Sequence, residues 1–377
     1  MSVKLGGKIK VLFLLSSLQI GGSERKTVNI VNNLIKKGIN CHLLYLNPPH
    51  TLRSLVAKDV QLYCLERKRK VDFNCFKKYR NYISEKKIKT VCCVNLYPLF
   101  VHSLALSGMQ DKPRMFVTIN TSVIKSLKGR LHMLIYAPLL RRGCQIIFGS
   151  SFQKKLWISK YHINPLVGKV IYNGIDLNYF NPEESSLNRE EMRRRLGIKE
   201  NEIVIGMVAR FVPWKAHTDL LKATRKIIDR GIDIKILFLG EGTEREKIIG
   251  LIKSLEMENN VIILENTLDV RPVLVSMDIF ALTSIAVETF PNAALEVMAM
   301  SKPVILSNIG GTSEMVENGI NGFLYPPGDI DALASRIQTI IDNDLFLEMG
   351  KEARKIIEDK FTLEKMVSEY EKCLILY

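Results

Sequence analysis

Short apolar runs alternate with amphipathic stretches from one end of the chain to the other. KVLFLLSS (10–17), CHLLYL (41–46), KTVCCVN (89–95), RMFVTIN (114–120) and QIIFGSS (145–151) are too short for helices and rich in apolar and β-branched residues. Each predicts a strand buried on both faces. Between the first two, SERKTVNIVNNLIKKG (23–38) predicts a helix stopped by Gly38. A second series follows: EIVIGMVARF (202–211), KILFLGEG (235–242), VIILENT (261–267), IFALTS (279–284) and PVILSNIGG (303–311). Helical segments separate these runs as well, and such alternation predicts parallel sheets covered on both faces. The stretch 169–198 between the series holds turn residues, a polar segment and a charged helix, and reads as a domain junction. The fold class is therefore α/β, with two doubly wound domains in tandem and a cleft between them as the natural ligand site. The expected domains are 1–175 and 176–361, with a last helix over 362–377 packing back on the first.

Composition agrees with this picture. A chain of 377 residues suits two domains, and 47% hydrophobic with 8% aromatic residues describes a globular protein. No apolar run reaches the ~18–20 residues of a membrane span. VLFLLSSLQI (11–20) has the look of a signal-peptide core, but it lacks a small-residue cleavage site and runs into GGSER, so it reads as the first strand. Seven scattered cysteines without a C-x-x-C pair point to free thiols in a reducing cytoplasm and away from a metal site.

Charge changes the picture more. Residues 1–180 carry 30 Lys and Arg against 7 Asp and Glu, a net of +23, whereas residues 181–377 carry 24 against 32, a net of −8. The basic half suggests an anionic partner: a nucleic acid, an acidic membrane surface or a phosphorylated substrate. RKRK (67–70), KSLKGR (125–130) and RR (141–142) are the candidate patches, and solvated helix faces are the plain alternative.

Several strand-to-helix turns carry candidate chemistry. QIGGSERK (19–26) puts Gly21 and Gly22 at a helix start, where backbone amides can meet an anion, although it is not G-x-G-x-x-G. GMVARFVPWKAHTDL (206–220) places Arg210 and Lys215 beyond a strand end, where two cations can straddle a pyrophosphate or simply face solvent. His217 reads as a cap or surface group. In LGEG (239–242), Gly240 and Gly242 admit either a phosphate or a tight turn. The most specific stretch is ETFPNAALEVMAM (288–300), where Glu288 and Glu296 bracket a helix start at Pro291 and Asn292. Its first amides suit a phosphate, and an ionised Glu296 has two acceptor oxygens for a vicinal diol such as a ribose.

GGSER, NGID (173–176), ARFVPWK and the E-x7-E block of ETFPNAALEVMAMSKPVILSNIGGTSEMVENGINGFL occur in order and together span the chain. With them the sequence resembles the retaining GT-B glycosyltransferases of family 4, which use nucleotide-diphosphate sugars. The resemblance implies two Rossmann-like domains facing across a cleft and no metal or other cofactor. It implies that Arg210 and Lys215 bind the donor pyrophosphate, that Glu296 holds the ribose and that Glu288 lies near the donor sugar. The backbone of Phe290, Pro291, Asn292, Ala293, Ala294 and Leu295 would contact sugar and phosphate. Gly21, Gly22 and Gly242 would line the donor site, and Asn266 and Thr267 the nucleobase. Asn120 stands where many members have a histidine near the donor sugar, and Pro291 where glycine is common.

The implied reaction moves a sugar from a UDP-, GDP- or ADP-sugar to a hydroxyl of a glycan or lipid-linked acceptor. It belongs to cell-surface polysaccharide, lipopolysaccharide or glycolipid synthesis, in the cytoplasm or at the inner face of its membrane. A sugar-nucleotide epimerase or phosphorylase on the same fold is the enzymatic alternative. A nucleic-acid-binding protein is the alternative from the basic half, but that half lacks interleaved stacking aromatics.

Overall fold

A computed structural model describes residues 9–121, 127–141, 144–184, 188–286 and 288–375, without the side chains of Leu127, Lys128 and Arg130. Parts of two candidate basic patches, Lys125, Ser126 and Arg142, lie outside the described residues. The chain divides into two compact units, one of Met1–Asn173 with Leu363–Tyr377 and one of Gly174–Thr362. The division falls inside NGID.

In the first unit the strands are β1 (Lys10–Leu15), β2 (Asn40–Tyr45), β3 (Gln61–Cys64), β4 (Thr90–Val94), β5 (Arg114–Ile119), β6 (Gln145–Phe148) and β7 (Gly168–Val170). Its helices are α1 (Gly22–Lys36), α2 (Phe73–Lys86), α3 (Leu96–Ala105), α4 (Leu127–Arg141) and α5 (Ser151–Tyr161). The strands form one parallel sheet in the order β3-β2-β1-β4-β5-β6-β7. Alternate residues of β1 feed two cores: Leu12 and Leu14 face one, Val11, Phe13 and Leu15 the other.

The second unit contains α6 (Arg189–Arg195), β8 (Ile203–Val208), α7 (His217–Ile228), β9 (Ile234–Leu239), α8 (Arg245–Ser254), β10 (Val261–Leu264), α9 (Arg271–Ser276), β11 (Ile279–Leu282), α10 (Asn292–Ala299), β12 (Val304–Ser307), β13 (Gly322–Tyr325), α11 (Ile330–Asp342) and α12 (Phe346–Lys360). Its sheet is also parallel, in the order β10-β9-β8-β11-β12-β13. The last helix, α13 (Leu363–Ile375), belongs to the first unit. Its stripe Leu363, Met366, Val367, Tyr370 and Leu374 joins the core that holds α1, and Lys169 pairs with Glu369 at 2.9 Å.

Three strands escape the hydrophobic pattern. β3 and β7 are sheet edges of four and three residues with half-exposed faces, so neither needs an apolar run. The stretch 169–198, read as a junction, thus begins inside β7. β13 is the opposite edge of the second sheet, and a Cβ on its Gly322 would lie 1.9 Å from the Val304 carbonyl oxygen.

In each sheet the strand order reverses once, between β1 and β4 and between β8 and β11. Loops leaving the carboxyl ends of such neighbours run to opposite faces and open a crevice. Glycine fixes the loop beyond β8. Gly242 has φ +153°, and a Cβ there would lie 2.2 Å from the Phe211 carbonyl oxygen. Phe211 N–H donates to the Glu241 carbonyl at 2.8 Å, and Glu244 N–H to the Phe211 carbonyl at 3.0 Å. Arg210 is thereby anchored by its neighbour. Gly242→Ala is expected to destabilise the second unit by about 2 kcal/mol in urea denaturation, within the range of backbone strain. Gly250→Ala, in α8 with nothing within 4 Å of the added Cβ, is expected instead to be neutral or stabilising by up to ~1 kcal/mol.

Candidate active site

The crevice of the second unit is built from the loops after β8 and β11. Arg210 follows β8 and is exposed, and Pro213–Lys215 form a single 3-10 turn. Thr283 Oγ1 donates to the carbonyls of Lys215 (3.0 Å) and Ala216 (2.9 Å), and Ile285 N–H donates to that of Trp214 (2.9 Å). These bonds tie the two loops together. Across them Lys215 Nζ donates to Glu288 Oε1, which also accepts from Ser284 Oγ. The Lys215 and Glu288 side chains are only 17% and 7% exposed. Losing one partner would strand a desolvated charge at a cost of ~3 kcal/mol or more. The loop after β12 closes on the same point. Gly310 has φ +67°, and a Cβ on it would sit 1.7 Å from the Glu288 carbonyl oxygen.

The next helix is α10. Its N-cap is Pro291, which has no side-chain acceptor for the first amides. The aligned peptides therefore present a partial positive charge at Asn292. Ala294, Leu295, Val297 and Met298 are fully buried, and Phe290 packs edge-on against Phe361 at 5.0 Å. Asn292, Ala293 and Glu296 stay half-buried on the remaining face, with Asn292 and Glu296 one turn apart. Glu288 and Glu296 thus bracket the mouth of a helix whose residues from Ala294 on, Glu296 apart, are core.

Farther along the sheet edge, Asn266 and Thr267 are exposed beyond β10, and Asn266 N–H reaches Glu241 Oε1 at 3.4 Å. Gly242 lies on the same Glu241 loop, with its missing Cβ toward Phe211. His217 is neither cap nor surface. It is 2% exposed and wedged edge-on between Phe211 (4.8 Å) and Phe238 (5.1 Å), and burial, with Lys215 nearby, pushes it down to about 4. Among the described residues no three His, Cys, Asp or Glu side chains converge to hold a metal ion.

The crevice of the first unit holds Gly21, Gly22 and Asn120. Gly21 caps α1 in an extended conformation, and a Cβ there would meet only the mobile end of Glu24. Asn120 follows β5 and is half-buried. Its Oδ1 accepts from Lys26 Nζ at 2.7 Å, and its backbone N–H and Nδ2 both donate to Asn95 Oδ1 at 3.1 Å. Lys26 is 7% exposed, and burial brings it down to about 8. Asn95, at the end of β4, has φ 74° and ψ 174°, a region nearly confined to glycine that costs roughly 1–3 kcal/mol. Sequence reasoning missed Lys26 and Asn95. The available signal was that Lys26 lies one turn before Ile30, on the apolar face of α1.

The first domain model to match, "Glycosyltransferase Family 4", covers residues 20–179, and "Glycosyl transferases group 1" covers 188–360. The capsular polysaccharide biosynthesis glycosyltransferase CapM of Staphylococcus aureus is 30% identical over 69% of this chain and 70% of its own length. The N-acetyl-alpha-D-glucosaminyl L-malate synthase of Bacillus anthracis is 33% identical over 54% of this chain, and the match spans about half (52%) of that relative. Among solved structures, Anabaena HepE in complex with UDP superposes with a TM-score of 0.85 at 22% identity, over 98% of this chain and 100% of that one. Two parallel-sheet units, matches to both domain models and the likeness to CapM together place the chain in glycosyltransferase family 4, with the GT-B fold.

Proposed function

We propose that this glycosyltransferase moves a sugar, with retention at the anomeric carbon and without a metal, from a nucleotide-diphosphate sugar to a hydroxyl of a glycan or lipid-linked acceptor. The observation that carries the reading is the Lys215–Glu288 pair across the β8/β11 crevice, beside exposed Arg210 and the α10 helix mouth. In this reading the diphosphate lies against the α10 amides, Arg210 and Lys215. Glu296 accepts the ribose hydroxyls. Glu288 orients Lys215 and meets a sugar hydroxyl, with Phe290 to Leu295 supplying backbone contacts. Asn266 and Thr267 take the base and Gly242 lines the site; Gly21, Gly22 and Asn120 are the first unit's donor contacts. HepE was crystallised with UDP, which favours a uridine donor here.

The chemistry follows from where charge builds. The bond between the anomeric carbon and the phosphate oxygen breaks, and its electron pair stays on the diphosphate. Arg210, Lys215 and the helix mouth offset that charge, as preorganised dipoles and cations do in a transition state. The acceptor hydroxyl then attacks the same face of the oxocarbenium-like sugar and passes its proton to the departing phosphate oxygen. No step needs a covalent protein nucleophile.

An acidic membrane surface is the partner we infer for the basic half. Arg67 stacks over Tyr97 (4.8 Å), Tyr97 neighbours Phe100 (6.2 Å), and Phe100 neighbours Tyr136 (6.2 Å). This chain of rings links the basic loop 67–70 to α3 and α4 in the first unit. α4 exposes Leu131, Leu134 and Ile135 by 58, 73 and 52%, and Phe73, just after that loop in sequence, is 79% exposed. Apolar side chains beside clustered lysines suit an anionic bilayer, at ~1 kcal/mol per basic residue near the surface. No helix among the described residues is long and apolar enough to cross a membrane. We infer action at the inner, cytoplasmic face, in cell-surface polysaccharide, lipopolysaccharide or glycolipid synthesis.

A thermal-shift screen over UDP-, GDP- and ADP-sugars should find stabilisation by one base, and Glu296→Ala should weaken that nucleotide ~10–100-fold, the worth of hydrogen bonds to a charged group. Full affinity in the variant would remove Glu296 from the ribose site. Release of nucleoside diphosphate should require an acceptor glycan; release without one would favour the epimerase or phosphorylase alternative. In sedimentation at low salt the protein should follow phosphatidylglycerol vesicles over phosphatidylcholine ones, and Leu134→Glu should weaken that binding. Equal binding to both vesicle types would refute an electrostatic membrane contact.

A further inference from the structure

The polar cluster at the β1/β4 crevice of the first unit contains two residues without a role in the reading above. Lys26 is buried, and among the described residues no carboxylate pairs with it. Asn95 holds a backbone conformation that L side chains rarely adopt, fixed by its N–H donating to the Thr118 carbonyl at 2.8 Å. A glycine would sit there without strain, so an asparagine implies a use for its carboxamide.

We propose that Lys26 is a positioning residue: its ammonium fixes the Asn120 carboxamide against Asn95, so that the two asparagines together bind a sugar hydroxyl of the substrate. This deepens the glycosyl-transfer reading and rests on it. An ammonium only donates, so the Asn120 atom facing Lys26 at 2.7 Å must be the oxygen. The Asn120 amide nitrogen then faces Asn95, whose oxygen must be the acceptor. The Asn120 backbone N–H, bonded to that same oxygen at 3.1 Å, enforces the choice. With its oxygen taken by two donors, Asn95 keeps both N–H groups for a ligand, and Asn120 a lone pair on Oδ1, as far as the described residues go. Both asparagines are half-buried and reach the crevice, while Lys26 lies behind them. A donor and an acceptor side by side match a hydroxyl, which needs one of each.

A neutral amine donates more weakly than an ammonium, so Lys26 holds the Asn120 oxygen most firmly in the ammonium form. Lys26 holds that form below about 8. The titratable group facing it is Cys92 on β4, whose thiol burial pushes up to about 12, leaving it neutral. From β5 it meets the neutral Asn120, and α13 brings Tyr370 and Cys373 against Cys92 instead. Recognition of the hydroxyl therefore weakens as pH rises through about 8, while the Asn120 backbone N–H still holds the Asn95 oxygen.

The test is steady-state transfer from about pH 6.5 to 9.5 by the full-length parent, Lys26→Met, Lys26→Arg and Asn95→Gly, with melting temperatures alongside. The parent's kcat/KM should fall above about 8. Lys26→Met should lose about tenfold at neutral pH and show no such step. Lys26→Arg, a donor at every pH, should restore part of the activity with a flat profile. Asn95→Gly should melt no lower than the parent yet raise one KM about tenfold, roughly the worth of one or two hydrogen bonds. A raised donor KM places the hydroxyl on the donor sugar, a raised acceptor KM on the acceptor. Parent-like kcat/KM in a folded Asn95→Gly, or a retained pH step in Lys26→Met, overturns the proposal. Glu296→Ala, measured in parallel, reports on the underlying reading: activity equal to the parent's would refute the α10 donor site whatever Lys26 does.

Discussion

The Lys215–Glu288 ion pair is the contact on which the second unit's crevice depends. It joins loops from two strands that are neighbours in the sheet but far apart in sequence. Each charge is largely out of water, so neither loop can move away without stranding its partner. The hydrogen bonds from Thr283 and Ile285 and the close approach of Gly310 hold the surrounding backbone to the same geometry. The α10 mouth follows directly in sequence, so the pair also sets where that helix begins.

The two units place the same topology in opposite electrostatic states. At the β8/β11 reversal Lys215 pairs with a glutamate, and exposed Arg210 and the helix mouth add positive features beside it. At the β1/β4 reversal Lys26 meets a carboxamide instead of a carboxylate, and burial lowers its proton affinity. The first arrangement suits a permanently charged phosphate over a wide pH range. The second suits a neutral, hydroxylated group and is sensitive to pH. A doubly wound sheet supplies the crevice in both cases, and one partner residue decides what chemistry it favours.

Much of the fold was legible because buried parallel strands must be nearly all apolar, as β1, β4, β8 and β11 are. The half-exposed edge strands β3 and β7 escape that constraint, whereas β13 is largely buried and its four residues GFLY carry too short an apolar run to stand out. The helix at ETFPNAALEVMAM announced itself through proline followed by an apolar run, and its glutamates stood out as charges at a core helix. His217 misled because a polar type beside Lys215 suggests surface, whereas its ring fills the gap between two phenylalanines. Lys26 and Asn95 were illegible for a different reason. A buried lysine has meaning only through the neighbours that three dimensions bring to it, here from β4 and β5.

We propose that the β8/β11 crevice of the second unit binds a diphosphate. The most direct test is calorimetric binding of UDP and UMP to the parent, Arg210→Ala and Lys215→Met. The parent should prefer UDP to UMP by about a hundredfold, consistent with charge-assisted hydrogen bonds to the added phosphate. Arg210→Ala should lose most of that preference while its UMP affinity changes little, whereas Lys215→Met, which also strands Glu288, should lose the preference and weaken UMP as well. Variants that keep the parent's discrimination between UDP and UMP would contradict the account.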